Sequence, residues 1–127
     1  MEIWTPKIGE LGKLRKETKE IFSKIGTEKS RQRLVYELLN SLKSRDWNRF
    51  KFLVVKNVNS VVTNEEIGSK AKEYSDFLGN LLDKYETEEE NFEKIAYAVI
   101  IGIIAAGEEK VIMDEGRESK SEVVEDE

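Results

Sequence analysis

The residues best suited to chemistry lie between Lys43 and Lys56. There Lys43, Arg45, Trp47, Asn48, Arg49, Lys51 and Lys56 interleave cations with an aromatic ring and an amide near a helix start. Lysine and arginine neutralise phosphates, and a helix N-terminus adds backbone N–H donors to an anion site. The chemistry implied is electrostatic contact with a phosphate backbone, which follows a strand without reading its bases. Arg45, Arg49 and Lys56 recur at about whole-turn intervals, so one side of a helix would carry all three. Arg31 and Arg33 extend the set. They fall in the first turns of a helix, where cations oppose the helix dipole, and that placement hints at a partner for them. The competing reading is a capped helix with Trp47 in the core and its charges solvated. The residues alone leave both open.

Other chemistry has little to work with. The chain has no His and no Cys, which removes the commonest general base, the commonest metal ligand and the thiol nucleophile. Without cysteine there is also no disulfide frame and no zinc–thiolate site. The dense acidic groups are Glu65-Glu66 and Glu88 to Glu90. Both sit at helix starts, where acids are expected for structural reasons. Gly9 and Gly12 lack the lysine that follows a phosphate-binding loop. No serine stands in a nucleophile context. The reading is a non-enzyme with no cofactor and no metal.

Charge is divided along the chain. Residues 1–60 carry 14 Lys/Arg against 7 Asp/Glu, residues 61–107 carry 4 against 10, and residues 108–127 carry 3 against 9. A basic half, an acidic half and an acidic tail suit a polyanion partner for the basic half. They equally suit two halves that attract each other within the fold. Charged residues make up 37% of the chain, with Lys and Glu dominant. That excess fits a heat-adapted intracellular protein, and also a helix-rich protein of ordinary temperature range. The start, MEIWTPKIGE, lacks the basic and apolar regions of a signal peptide, and the expected location is the cytoplasm.

The elements that must position these residues are all helical. The run Ile95 to Gly107, IAYAVIIGIIAAG, holds no charge. It is too short for a membrane span of about 20 residues, so it predicts a helix buried on most of its circumference around which a bundle packs. Thr87 to Glu90 reads as its capping box, Gly107 as its left-handed stop, and Gly102 as a point of close helix approach. Before it, a Thr5-Pro6 start predicts a first helix with Leu11, Leu14, Thr18, Ile21, Phe22 and Ile25 inward, ended by Gly26; Trp4 would staple onto it or a neighbour. Thr27 caps a second helix with the stripe Leu34, Val35, Leu38, Leu39 and Leu42. Ser44 or Asp46 caps a third, with Trp47, Phe50, Val54, Val58 and Val61 inward. Thr63 to Glu66 reads as another capping box, opening a fourth helix with Ile67, Ala71, Tyr74, Phe77, Leu78, Leu81, Leu82 and Tyr85. The fold expected is all-α, a single compact bundle of about five helices over residues 1–107. Residues 108–127 read as an acidic, disordered tail.

LLNSLKSRDWNRFKFLVVKNVNS, Leu38 to Ser60, resembles a segment near the carboxyl end of the large subunit of some type I CRISPR effector complexes (Cascade). FEKIAYAVIIGIIAAG, Phe92 to Gly107, is similar to the late apolar helix of the same region. The likeness covers about residues 31–107 and rests on a pattern of helices with a few matching positions. In that family the region is a helical bundle and also occurs as a free small subunit. The family's third helix is usually richer in arginine; here Val54-Val55-Lys56 stands in its place, and the acidic tail has no counterpart. The resemblance implies a non-catalytic small subunit, an antiviral defense role, contacts to other subunits of the effector complex, possible self-association, and no membrane. Backbone contact to a guide RNA–target DNA duplex or to the displaced DNA strand would run through basic surface. Arg31, Arg33, Lys43, Arg45, Arg49 and Lys56 are the residues expected to make it. The alternative is a helical protein–protein adaptor with no nucleic-acid role.

Overall fold

The computed structural model describes residues 5–122, with side chains described through Gly107. Five helices follow one another: α1 (Ile8–Phe22), α2 (Glu28–Lys43), α3 (Trp47–Asn59), α4 (Gly68–Lys84) and α5 (Glu89–Glu122). The described residues contain no strand. The expectation for Trp4 falls on a residue outside the described part, as does that of disorder over residues 123–127, while the backbone of residues 108–122 continues α5.

Each helix forms because its apolar residues recur at helical spacing and then meet one shared core. Leu14, Ile21 and Phe22 of α1, Leu34, Leu38 and Leu42 of α2, and Phe50, Val54 and Val58 of α3 all lie in that core, as do Leu78 and Leu82 of α4. Phe92, Ile95, Val99, Ile103 and Ala106 of α5 run through it. Phe92 joins the layers: its ring lies 4.6 Å from Trp47 and 5.9 Å edge-on from Phe50. Aromatic pairs at these distances add about 0.5–1.5 kcal/mol beyond the area they bury.

The packing of α5 on α1 depends on Gly102. A Cβ there would lie 2.7 Å from Thr18 Cβ and 2.8 Å from the Arg15 carbonyl oxygen. This is the close-packed neighbour that an interior glycine predicts. At the same crossing Thr18 is fully buried. Its hydroxyl donates to the Leu14 carbonyl at 2.7 Å, and so accepts from the Tyr74 hydroxyl at 2.7 Å. Burial pushes the Tyr74 phenol well above its ordinary range, reinforced by the Glu17 charge. One hydroxyl chain thus links α4 to α1 beside α5. Glu28 stands against Gly107 at one end of α2, and Arg45 meets Glu89 at the other. α2 therefore runs antiparallel to α5.

Several helix boundaries differ from those the sequence predicts. α1 starts at Ile8, with Lys7 rather than Thr5 at its cap. α2 has the predicted Thr27 cap, completed by Ser30, whose hydroxyl accepts from the Thr27 N–H at 2.9 Å. Asp46 caps α3 by accepting from the Arg49 N–H at 3.1 Å. The Thr63–Glu66 box does not form. Asn64 Oδ1 instead accepts from the N–H groups of Glu66 and Ile67, at 2.7 and 3.2 Å, and α4 begins at Gly68. Asn64 wins because a short amide side chain folds back on its own turn without needing a helix. α5 opens at Glu89, one residue past Glu88, rather than behind a Thr87 cap, and it passes through Gly107 in helical conformation. The stripes are narrower than predicted: Leu39, Phe77, Tyr97, Ile101 and Ile104 face solvent.

Candidate nucleic-acid interface

The α2–α3 corner is built around Asp46. After Lys43 the chain turns through Ser44 and Arg45, and Arg45 takes the left-handed conformation with φ 58°. The Asp46 N–H reaches back to the Ser41 carbonyl at 2.8 Å, and the Asp46 carboxylate caps α3. This geometry places Lys43, Arg45 and Arg49 around one exposed corner. Lys56 follows Arg49 by two turns on the same face of α3, a rise of about 10 Å. Trp47 is partly buried against Phe92, so the structural reading holds for that ring.

The six expected phosphate contacts do not share one fate. Arg31 does not belong to any open surface. Its side chain is only 3% exposed. It donates to the carbonyls of Ile25 at 3.1 Å and Phe22 at 3.4 Å, and pairs with Glu28 at 3.3 Å. Its task is to satisfy carbonyls left over at the end of α1, where a cation also suits the dipole. The sequence placed Arg31 correctly in the first turn of α2 but gave no sign that the preceding helix ended beside it. Arg45 is exposed and ion-paired with Glu89 at the start of α5, so one charge of the basic half is answered inside the fold. Lys51 likewise meets Asp83 of α4 at 2.6 Å. Arg33, Lys43, Arg49 and Lys56 are exposed, with no carboxylate partner among the described residues.

Sequence reasoning missed Phe52. It lies three residues after Arg49 and four before Lys56, off the buried stripe of α3, and it is 59% exposed. The Lys56 ammonium sits 5.6 Å from its ring centroid. A flat apolar ring between two cations can stack on a base or cover an apolar neighbour. The missing signal was phase: helical spacing from Phe50 to Val54 and Val58 puts Phe52 on the opposite side. No group of three or more Asp or Glu close enough to hold a metal ion occurs among the described residues. No described helix is long and apolar enough to cross a membrane. No known protein family, curated protein or solved structure matches the chain.

Proposed function

We propose that this chain is a non-catalytic helical subunit that contacts a nucleic-acid backbone through the outer face of α3 and the α2–α3 corner. The observation that carries the reading is the row Arg49, Phe52, Lys56, in which two cations flank an exposed ring on one helix face. Arg33 and Lys43 add charge on the adjoining helix. The resemblance to the helical region of type I CRISPR effector complexes supports an RNA-guided complex as the setting, with the guide–target duplex or the displaced strand as the polyanion and other subunits of that complex as neighbours.

The test is binding of fluorescent single-stranded and duplex DNA across a salt series, with the full chain alone and in the assembled complex. Arg49→Ala with Lys56→Ala should weaken binding to all sequences alike and lower the salt slope by about two units, one per lost phosphate contact. Phe52→Ala should weaken single-strand binding more than duplex binding. Equal binding by wild type and the double variant at low and high salt would overturn the reading. A second reading, a protein–protein adaptor, is favoured by the Arg45–Glu89 and Lys51–Asp83 pairs. These pairs turn part of the charge division inward.

A further inference from the structure

Phe52 carries its ring out of α3 into solvent, at a place where a soluble helix ordinarily sets a polar side chain. Its neighbours one turn away are Asn48 and Arg49 on one side, both exposed, and half-buried Val55 and exposed Lys56 on the other. Side chains on a helix lean towards its N-terminus, so Lys56 reaches back over the ring and sets its ammonium 5.6 Å from the centroid. Among the described residues no other cation and no other ring stands over Phe52, and the rest of the ring surface is left to solvent. The Arg49 guanidinium has no carboxylate, hydrogen-bond or ring partner among the described residues either.

We infer that Phe52 is a stacking platform for one unpaired nucleobase of a single strand, with the flanking phosphates on Arg49 and Lys56. The inference rests on the nucleic-acid reading and adds to it a base contact and a choice of single strand over duplex. Arg49 and Lys56 stand seven residues apart, a rise of about 10 Å. Successive phosphates of a helical strand advance about 3.4 Å, so the two cations bracket about three nucleotides with Phe52 under the middle one. A base inside a duplex has both faces stacked on its neighbours and offers none to the ring. In a single strand the base can turn out onto it. The surrounding charge suits a phosphate strand. α3 carries three cations and no acid. At its start Asp46 is engaged as the cap and Glu89 pairs with Arg45. The acids of the α3–α4 groove are answered, Asp83 by Lys51 and Asp76 by Lys72. On α2, outside the Glu28–Arg31 pair, Glu37 stands against Lys29, Arg33 and Lys43. An apolar protein surface is the poorer occupant, because covering Phe52 would also take Arg49 and Lys56 out of water with no anion to meet them. Stacking accepts any base, so the site reads strandedness rather than sequence.

Two short fluorescent oligomers of equal length and identical backbone test this: oligothymidylate, and its abasic counterpart in which every base is replaced by hydrogen. The wild-type full chain should bind oligothymidylate roughly fivefold or more tighter than the abasic oligomer, the lower end of what one base–aromatic stack contributes. Phe52→Ala, shown folded by circular dichroism, should lose that preference. Its affinity for the abasic oligomer should stay within about twofold of wild type and its salt slope should not change, because no phosphate contact is lost. Phe52→Trp should restore the preference, and a duplex of the same length should bind wild type and Phe52→Ala alike. The two oligomers are run in deoxyribose and in ribose form, and base dependence in either supports the platform and names the strand it takes. Equal binding of oligothymidylate and the abasic oligomer by wild type, with the ribose pair also equal, overturns the inference. So does a Phe52→Ala variant that weakens both oligomers to the same degree, which would make the ring a support for the helix. Arg49→Ala with Lys56→Ala separates the two readings. If it lowers the salt slope while wild type shows no base preference, the backbone contact stands and the platform falls. If the slope does not move, or if wild type binds neither oligomer at low salt, both fall.

Discussion

Replacing Gly102 by alanine should destabilise the protein, although alanine is the better helix former. The local term is a gain of about 1 kcal/mol. The tertiary term opposes it. A methyl group at Gly102 would fall 2.7 Å from Thr18 Cβ and 2.8 Å from the Arg15 carbonyl oxygen. Neither obstacle is the free end of a flexible side chain, so α1 must move away from α5 or tilt. Overpacking of a filled core costs about 1–3 kcal/mol. Here it also strains the Tyr74–Thr18–Leu14 hydroxyl chain at the same crossing. The net expectation is a loss of about 1–2 kcal/mol. At about 3–4 °C per kcal/mol for a chain of this length, Tm falls by roughly 5 °C. Gly79 provides the control, because it lies inside α4 with nothing within 4 Å of an added Cβ. Gly79→Ala should raise Tm by about 3–4 °C through the propensity term alone. Thermal and urea unfolding of the two variants measure the contrast. If Gly102→Ala is as stabilising as Gly79→Ala, the spacing of α1 and α5 is not set by the glycine and the packing argument fails.

Arg31→Met should cost about 2–3 kcal/mol in urea unfolding, because it strands the Phe22 and Ile25 carbonyls, while leaving nucleic-acid affinity unchanged; an affinity loss without a stability loss would return Arg31 to the binding surface. Asp46→Ala should cost about 1 kcal/mol by removing the α3 cap, and Asp46→Asn much less, as read from the same denaturation curves. The Tyr74 phenol is held protonated by burial, so its folded pKa lies above the unfolded value of about 10. The stability it contributes is complete below pH 10 and is lost as pH rises beyond, because the unfolded state releases the proton first. Unfolding free energy measured from pH 8 to 11 should therefore fall more steeply for wild type than for Tyr74→Phe, and parallel curves would refute this. Arg45→Gly should be within about 0.5 kcal/mol of wild type or slightly more stable, since relief of the left-handed backbone offsets an exposed ion pair; a loss above 1 kcal/mol would show the Glu89 pair to be stronger than its exposure suggests.

The parts of the fold legible in the chain were those decided within a few residues. The 3.6-residue recurrence of Leu34, Leu38 and Leu42, or of Phe50, Val54 and Val58, needs no distant partner to be recognised, and these residues are buried as their spacing predicts. The Thr27 and Asp46 caps were equally local. Thr63 failed as a cap because Asn64 offered a competing local bond, and both options are written in the same four residues. Sequence alone cannot weigh two such bonds, since their difference is smaller than the packing energy that selects where α4 begins.

For the candidate site, the residue types were legible and their environments were not. Arg31, Arg33, Lys43, Arg45, Arg49 and Lys56 look alike as cations in a row. Burial against the end of α1 made Arg31 structural, proximity to α5 paired Arg45 with Glu89, and Phe52 came out as an exposed ring between two of the rest. The apolar run of α5 likewise announced a central helix, but not that one stripe of it would stay outside. By itself the sequence determined an all-helical chain, the faces its helices bury, and an interior glycine calling for a close neighbour. The tertiary structure alone decided which neighbour that was, which charges are answered within the fold, and which apolar residues remain uncovered. Periodicity is a property of one helix, whereas pairing and exposure depend on how several helices cross.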